Sequence, residues 1–441
     1  MRFFQSLLYI LIGVALTVFM TACERESVSE SSTPPPINPV PPTTSDLTLC
    51  QANPSWVSNP RPPDEIPDNG ESFCDFYQFS WQWFLYLMSP SAENPEQRNF
   101  QLASDYPVLQ VDRNSCNSPG NKPTFFVRTV KADDENSEFV LPERISQAGG
   151  GATIYDQHSN VVFYSVSFGR SLCDAPSSGN LPADTTELKL AWKVIEPDDK
   201  ADYLWMEADV IPSEEGQAPV NETLGLIGFH LVRATVEHPE MVWASFEHKS
   251  NAANCIAPES APANSWSFLS SSCQECLNNP SNQCLQSCSF NQAKAHQALT
   301  GTPTEICRVF PEGTAPNDHK AQENIADVMA LNNQLIGPDG ILTQLSDDNP
   351  MAVVSNYFNI GALWVSDPGK PAATDNQRGS LQLANPVMET TFQGSLQLNN
   401  DTLEPSTQGA VNCFGCHQYT PDETATSGLS HIISTIREQQ D

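Results

Sequence analysis

The chain is 441 residues long, with a formal charge of −32, 17% charged residues, 36 prolines and 13 cysteines. So acidic a field argues against nucleic acid or an anionic lipid surface as partner, and it steers basic molecules toward the protein. With so few charges, the surface rests on Ser, Thr, Asn and Gln, a composition that fits an exported protein.

Residues 1–22 read as a signal peptide: a single Arg2, an apolar stretch over residues 7–20, then Met20-Thr21-Ala22-Cys23. Small residues just before a cysteine resemble the bacterial lipobox, so cleavage is expected before Cys23, whose sulfur becomes acylated. The apolar run is shorter than the ~20 residues that a spanning helix needs. Glu24 stands where inner-membrane retention typically has Asp, so the expected address is the cell envelope, at the outer membrane, facing periplasm or cell surface. Residues 23–48, rich in Ser, Pro and Thr, bury almost nothing and read as a tether.

A β-rich region is expected over 49–250. It opens on an aromatic run from Phe73 to Met88, stopped by Ser89-Pro90, which reads as a buried helix. Short β-rich runs follow at 125–130, 161–168, 187–195, 203–211, 224–236 and 241–246. Within the third, Leu188, Leu190, Trp192 and Val194 alternate with Lys189, Ala191 and Lys193, the period of a half-buried strand. So many strands without intervening helical periods imply antiparallel sheet and argue against a βαβ nucleotide-binding core. A hairpin turning at His238-Pro239 would bring His230 toward His248.

Residues 251–310 form a cysteine-rich loop containing Cys273-Gln274-Glu275-Cys276 and Cys284-Leu285-Gln286-Ser287-Cys288. A four-thiolate metal knot is possible on spacing, but disulfides suit an exported chain better. The last stretch, 311–441, reads as a helical segment packed on the β-rich region. Asn317 and Asp318 would cap a helix with Ile325, Val328, Met329 and Leu335 on one face, ended by Gly337-Pro338, and a second short helix would begin at Asn385-Pro386. The expected fold class is therefore α+β, with an N-terminal aromatic helix, an antiparallel centre, a disulfide-stapled loop and a C-terminal helical or irregular segment.

That segment carries Cys413-Phe414-Gly415-Cys416-His417. Two thiols at this spacing reach the two vinyl groups of one porphyrin, and the next imidazole then lies under the iron. The motif thus implies one covalent haem c, with Cys413 and Cys416 as attachment points and His417 as axial ligand. Removing Cys23 to lipid and this pair to haem leaves ten cysteines, an even number that suits up to five disulfides.

The second axial position decides the chemistry. No Met follows His417, which excludes the class I layout, and a β-rich body does not match the class II bundle. Met388, one helical turn before Phe392, is the first candidate; His431 is the second; an open or otherwise filled iron face is the third possibility.

Six stretches together resemble a group of exported bacterial proteins with a single c-type haem near the C-terminus. They are residues 80–85 (SWQWFL), 188–193 (LKLAWK), 228–233 (GFHLVR), 243–248 (WASFEH) with Asn251, 385–390 (NPVMET), and the haem motif. The resemblance implies that the β-rich region and the haem segment form one recurring unit, but supplies no reaction. The expected function is electron transfer by a lipid-anchored c-type cytochrome toward a redox partner that is basic at the contact. The rivals are a haem enzyme or small-ligand sensor with an open iron, and a cell-surface binding module with accessory haem.

Overall fold

The computed structural model describes residues 50–440, apart from 111–113, 118, 120–123, 127–152, 176–180, 212–217, 260, 263–264, 294–300, 316–320, 407–411 and 422–427. The signal peptide, Cys23, the tether, and Asn317 with Asp318 therefore lie outside the described residues. Among the described residues no helix is long and apolar enough to cross a membrane.

Helix α1 (Phe73–Met88) begins where the Ser72 backbone N–H donates to Asp75 Oδ2 at 2.8 Å, which closes the first turn. It stops at Ser89, which is extended as a residue before proline must be. Its aromatic residues are buried nearly all round.

The central sheet is built from β1 (Thr124–Phe126), β2 (Phe163–Phe168), β3 (Thr186–Val194), β4 (Trp205–Ile211), β5 (Val220–Arg233), β6 (Val242–His248), β7 (Tyr357–Val365) and β8 (Gln377–Gly379). All neighbours run antiparallel except β1 and β4, which are parallel. The long β5 organises it. One edge pairs with β3 from Leu224 to Arg233; the other takes β4 at its start and β6 at its end. The protein is thus α+β, with both helices and an antiparallel sheet. The expected strands are present in outline, the first of them over 125–126 alone because 127–130 lie outside the described residues. Strands β7 and β8 come from the stretch expected to be helical, so that stretch completes the sheet as well as packing on it.

Alternation divides the sheet into two covered faces. Leu188, Leu190, Trp192, Phe229, Leu231 and Phe246 share a core with α1 and with α4 (Gln322–Ile336), which ends at Gly337 as expected. Phe84 stacks on Phe246 with ring centroids 3.9 Å apart, and Phe76 stacks likewise on Trp364 of β7. On the opposite face lie the 385–393 turns, a short helix α5 (Cys413–Cys416) and α6 (Ile433–Glu438).

Ten cysteines pair as five disulfides: Cys50–Cys74, Cys116–Cys173, Cys255–Cys307, Cys273–Cys288 and Cys276–Cys284. The last two join α2 (Ser271–Asn278) to α3 (Asn282–Cys288). Spacings of three and four put each helix's two cysteines on one face, so two antiparallel helices close with both bridges and no thiolate is left for a metal. A small hairpin of β9 (Leu396–Asn399) and β10 (Thr402–Pro405) packs beside this loop.

Candidate functional site

Cys413 and Cys416 are the cysteines among the described residues that form no disulfide. They occupy α5, whose first turn is capped by Asn412: its Oδ1 accepts from the Phe414 N–H at 3.1 Å, while its Nδ2 donates to Leu381 O at 3.0 Å. The motif is thereby tied to the segment just after β8. Burial holds the Cys413 thiol well above the ordinary range, and the Glu389 charge acts in the same direction. The Cys413 side chain is thus kept as a thiol.

His417 follows directly and is buried, 7% exposed. Its Nδ1 lies 2.7 Å from Leu429 O. A carbonyl oxygen only accepts, so Nδ1 carries the proton and Nε2 keeps its lone pair. Burial, then the nearby Lys189 charge, hold His417 far below the usual histidine range, so the ring is neutral. Trp243 lies against it at 4.6 Å between ring centroids, and Phe414 meets Trp243 edge-on at 5.9 Å.

The floor beneath this motif is polar. Lys189 of β3 projects from the sheet face opposite α1, 9% exposed, and its Nζ stands 3.4 Å from His417 Nε2. Across the ladder from Lys189 is His230, whose Nε2 lies 2.8 Å from Glu389 Oε1. Glu389 Oε2 accepts from the Asn385 N–H at 2.9 Å, and Asn385 Nδ2 donates to Ser245 Oγ at 3.1 Å and Phe246 O at 3.0 Å. Glu187, buried two positions before Lys189, has its carboxyl pushed up by burial against the pull of the Lys189 charge.

The stretches singled out in the sequence therefore converge here. Lys189 comes from LKLAWK, His230 from GFHLVR, Ser245 from WASFEH, and Asn385 with Glu389 from NPVMET. Sequence reasoning did not select Lys189 or Glu389, and it set His230 beside His248 instead of Glu389. A signal was available in the alternation of β3, which sets Lys189 apart from Leu188 and Leu190. Nothing local said that this polar face would meet protein instead of water.

The two candidates for the second axial position are placed differently. Residues 385–393 form helical turns ending in a 3₁₀ segment at Thr390–Gln393, not one continuous helix. Met388 is fully buried beside Val387, Ala191 and Ile227, and a Cβ added at Gly228 would lie 3.1 Å from its sulfur. His431 stacks on the face of His417, centroids 4.0 Å apart and planes 17° from parallel, with its Nε2 3.3 Å from Cys416 O. The anticipated β5–β6 hairpin forms, but its register sets His230 against Ser245. His248 instead pairs with Asp202 O and Ser250 and stacks on Tyr203.

Among the described residues no three His, Cys, Asp or Glu side chains are grouped to hold a metal ion. Compared with known proteins, the chain matches no family model, no curated protein and no solved structure.

Proposed function

We propose that this chain is an exported, lipid-anchored c-type cytochrome in which Cys413 and Cys416 carry one haem and His417 ligates its iron. The observation that carries the reading is the state of the motif. Cys413 and Cys416 stay outside the disulfide set while the ten other described cysteines are oxidised, and the imidazole beside them is neutral, with its Nε2 lone pair directed toward Lys189. That donor set fits a covalently held haem, which when bound would supply one-electron transfer between ferric and ferrous iron.

The protein's part is orientation and exclusion of water. The Leu429 carbonyl fixes the tautomer and angle of His417, the outer hydrogen bond by which metal-binding histidines are usually set. Trp243 and Phe414 form an apolar wall beside it. The acidic field of the chain would steer a redox partner that is basic at the contact, and acylated Cys23 would hold the body at the membrane. Met388 and His431 remain candidates for the second axial position. One observation favours the rival reading of a haem enzyme or ligand sensor: the His230–Glu389 pair supplies an acid–base couple on the same sheet face.

Expression in a host that matures c-type haem tests the reading. The peptide containing Cys413 and Cys416 should gain the mass of one haem, and Cys413→Ser with Cys416→Ser should abolish the gain. Recovery of an unmodified peptide with Cys413 joined to Cys416 would overturn it. Spectra of the reduced protein with and without carbon monoxide then separate the two readings. An unreactive low-spin iron supports electron transfer; gas binding supports catalysis or sensing.

A further inference from the structure

We infer that Lys189 is the second axial ligand, giving an iron held between the His417 imidazole and the Lys189 amine. The inference rests on the proposed haem attachment and deepens it. With Nδ1 committed to Leu429 O, Nε2 is the only ring nitrogen of His417 free to bind, and the group standing before it is Lys189 Nζ at 3.4 Å. Metal–nitrogen bonds run about 2 Å, so two nitrogens on opposite sides of one metal lie about 4 Å apart. A long, flexible lysine reaches that separation by a small adjustment of its terminal methylenes.

The alternatives are less well aimed. Met388 lies in an apolar cluster with its sulfur against Gly228. His431 lies parallel to His417, on the face of the ring and off the direction of the Nε2 lone pair, which lies in the ring plane. Lys189 is also held as a ligand should be. Its backbone sits inside the sheet, paired with Val166 of β2 on one side and His230 of β5 on the other. Among the described residues no carboxylate lies within ion-pair distance of its amine. Coordination uses the nitrogen lone pair, so the ammonium gives up one proton to solvent as the bond to iron forms, and the iron's oxidation state does not change.

The experiment measures haem content and ligation separately on the full-length protein. Haem is quantified after extraction into alkaline pyridine; ligation is read by electron paramagnetic resonance and near-infrared absorption of the ferric form. The wild type should be low-spin with two nitrogen ligands and no sulfur–iron band. Lys189→Arg keeps the positive charge but has no free lone pair, so it should lose the low-spin signature and let the ferrous iron bind carbon monoxide. Lys189→Met, close in volume, should return a low-spin iron with a sulfur–iron band. A low-spin spectrum unchanged in Lys189→Arg would overturn the assignment while leaving the cytochrome reading intact. So would a wild-type sulfur–iron band abolished by Met388→Leu, or nitrogen ligation lost in His431→Ala. Wild-type protein without covalent haem would overturn both. The wild-type spectrum decides even if a variant fails to fold.

Discussion

The two faces of the central sheet are both closed to water, yet one is almost wholly apolar while the other sets a polar group of contacts among its apolar ones. Toward α1, strands β3, β5 and β6 present Leu188, Leu190, Phe229, Leu231 and Phe246 to a layer of aromatic rings, and the cohesion is apolar burial and dispersion. From the same strands, Glu187, Lys189, His230 and Ser245 point the other way, toward the motif and the 385–393 turns, where hydrogen bonds and charges stand beside apolar contacts. Burial of such groups costs free energy unless each finds a partner. An apolar face here would have served the fold as well, so the polar one marks the side on which chemistry is expected. One strand period thus separates a structural face from a candidate functional face.

The largest expected effect breaks the apolar face. Phe84→Ala removes a fully buried ring stacked on Phe246 and should cost about 3–5 kcal/mol in urea unfolding. A loss under about 1 kcal/mol would show that the aromatic layer is not the foundation. On the polar face, Glu389→Gln leaves His230 without its carboxylate and frees one anchor of the 385–393 turn; about 1–3 kcal/mol is expected. A double-mutant cycle with His230→Gln should recover much of that as coupling, and additivity would refute the pairing.

A smaller test probes how closely the turn approaches the sheet. Gly228→Ala would set a Cβ 3.1 Å from Met388 Sδ and from Val387 Cγ2. Because the Met end can yield, about 1 kcal/mol of destabilisation is expected by thermal unfolding, relieved in combination with Met388→Val.

The smallest effect is a pH slope from the apolar side. Burial, with Glu323 adding, raises the Asp327 carboxyl to about 6. A carboxyl raised on folding favours the fold while protonated, so its contribution is present below the ordinary carboxylate range and is lost as pH rises through about 6. Asp327→Asn should flatten the stability profile between pH 4 and 6, judged roughly from those two values, and modestly stabilise the protein above it. An unchanged profile would remove Asp327 as its source.

How much of this was legible beforehand depends on distance along the chain. Helix α1 was readable because its start at Ser72 and Asp75, its aromatic content and its stop at Ser89-Pro90 are all local. The alternation in β3 gave the strand but not the fate of its polar side. Lys189 was read as part of a half-buried strand, and it is buried because a segment 228 residues later covers it. Strand β7 escaped notice because its apolar run lies in a stretch that otherwise signals helices, and pairing with β6 decides its conformation.

By itself, the sequence determined what depends on neighbours: the start and stop of α1, the even set of cysteines left once Cys413 and Cys416 are set aside with Cys23, and the spacing of Cys413, Cys416 and His417. Tertiary structure alone decided which cysteines join, which histidines find a carboxylate, and what stands in front of His417 Nε2. The reason is that spacing and capping are local geometry, whereas strand register and the layer laid over a sheet face arise from packing between segments far apart in the chain.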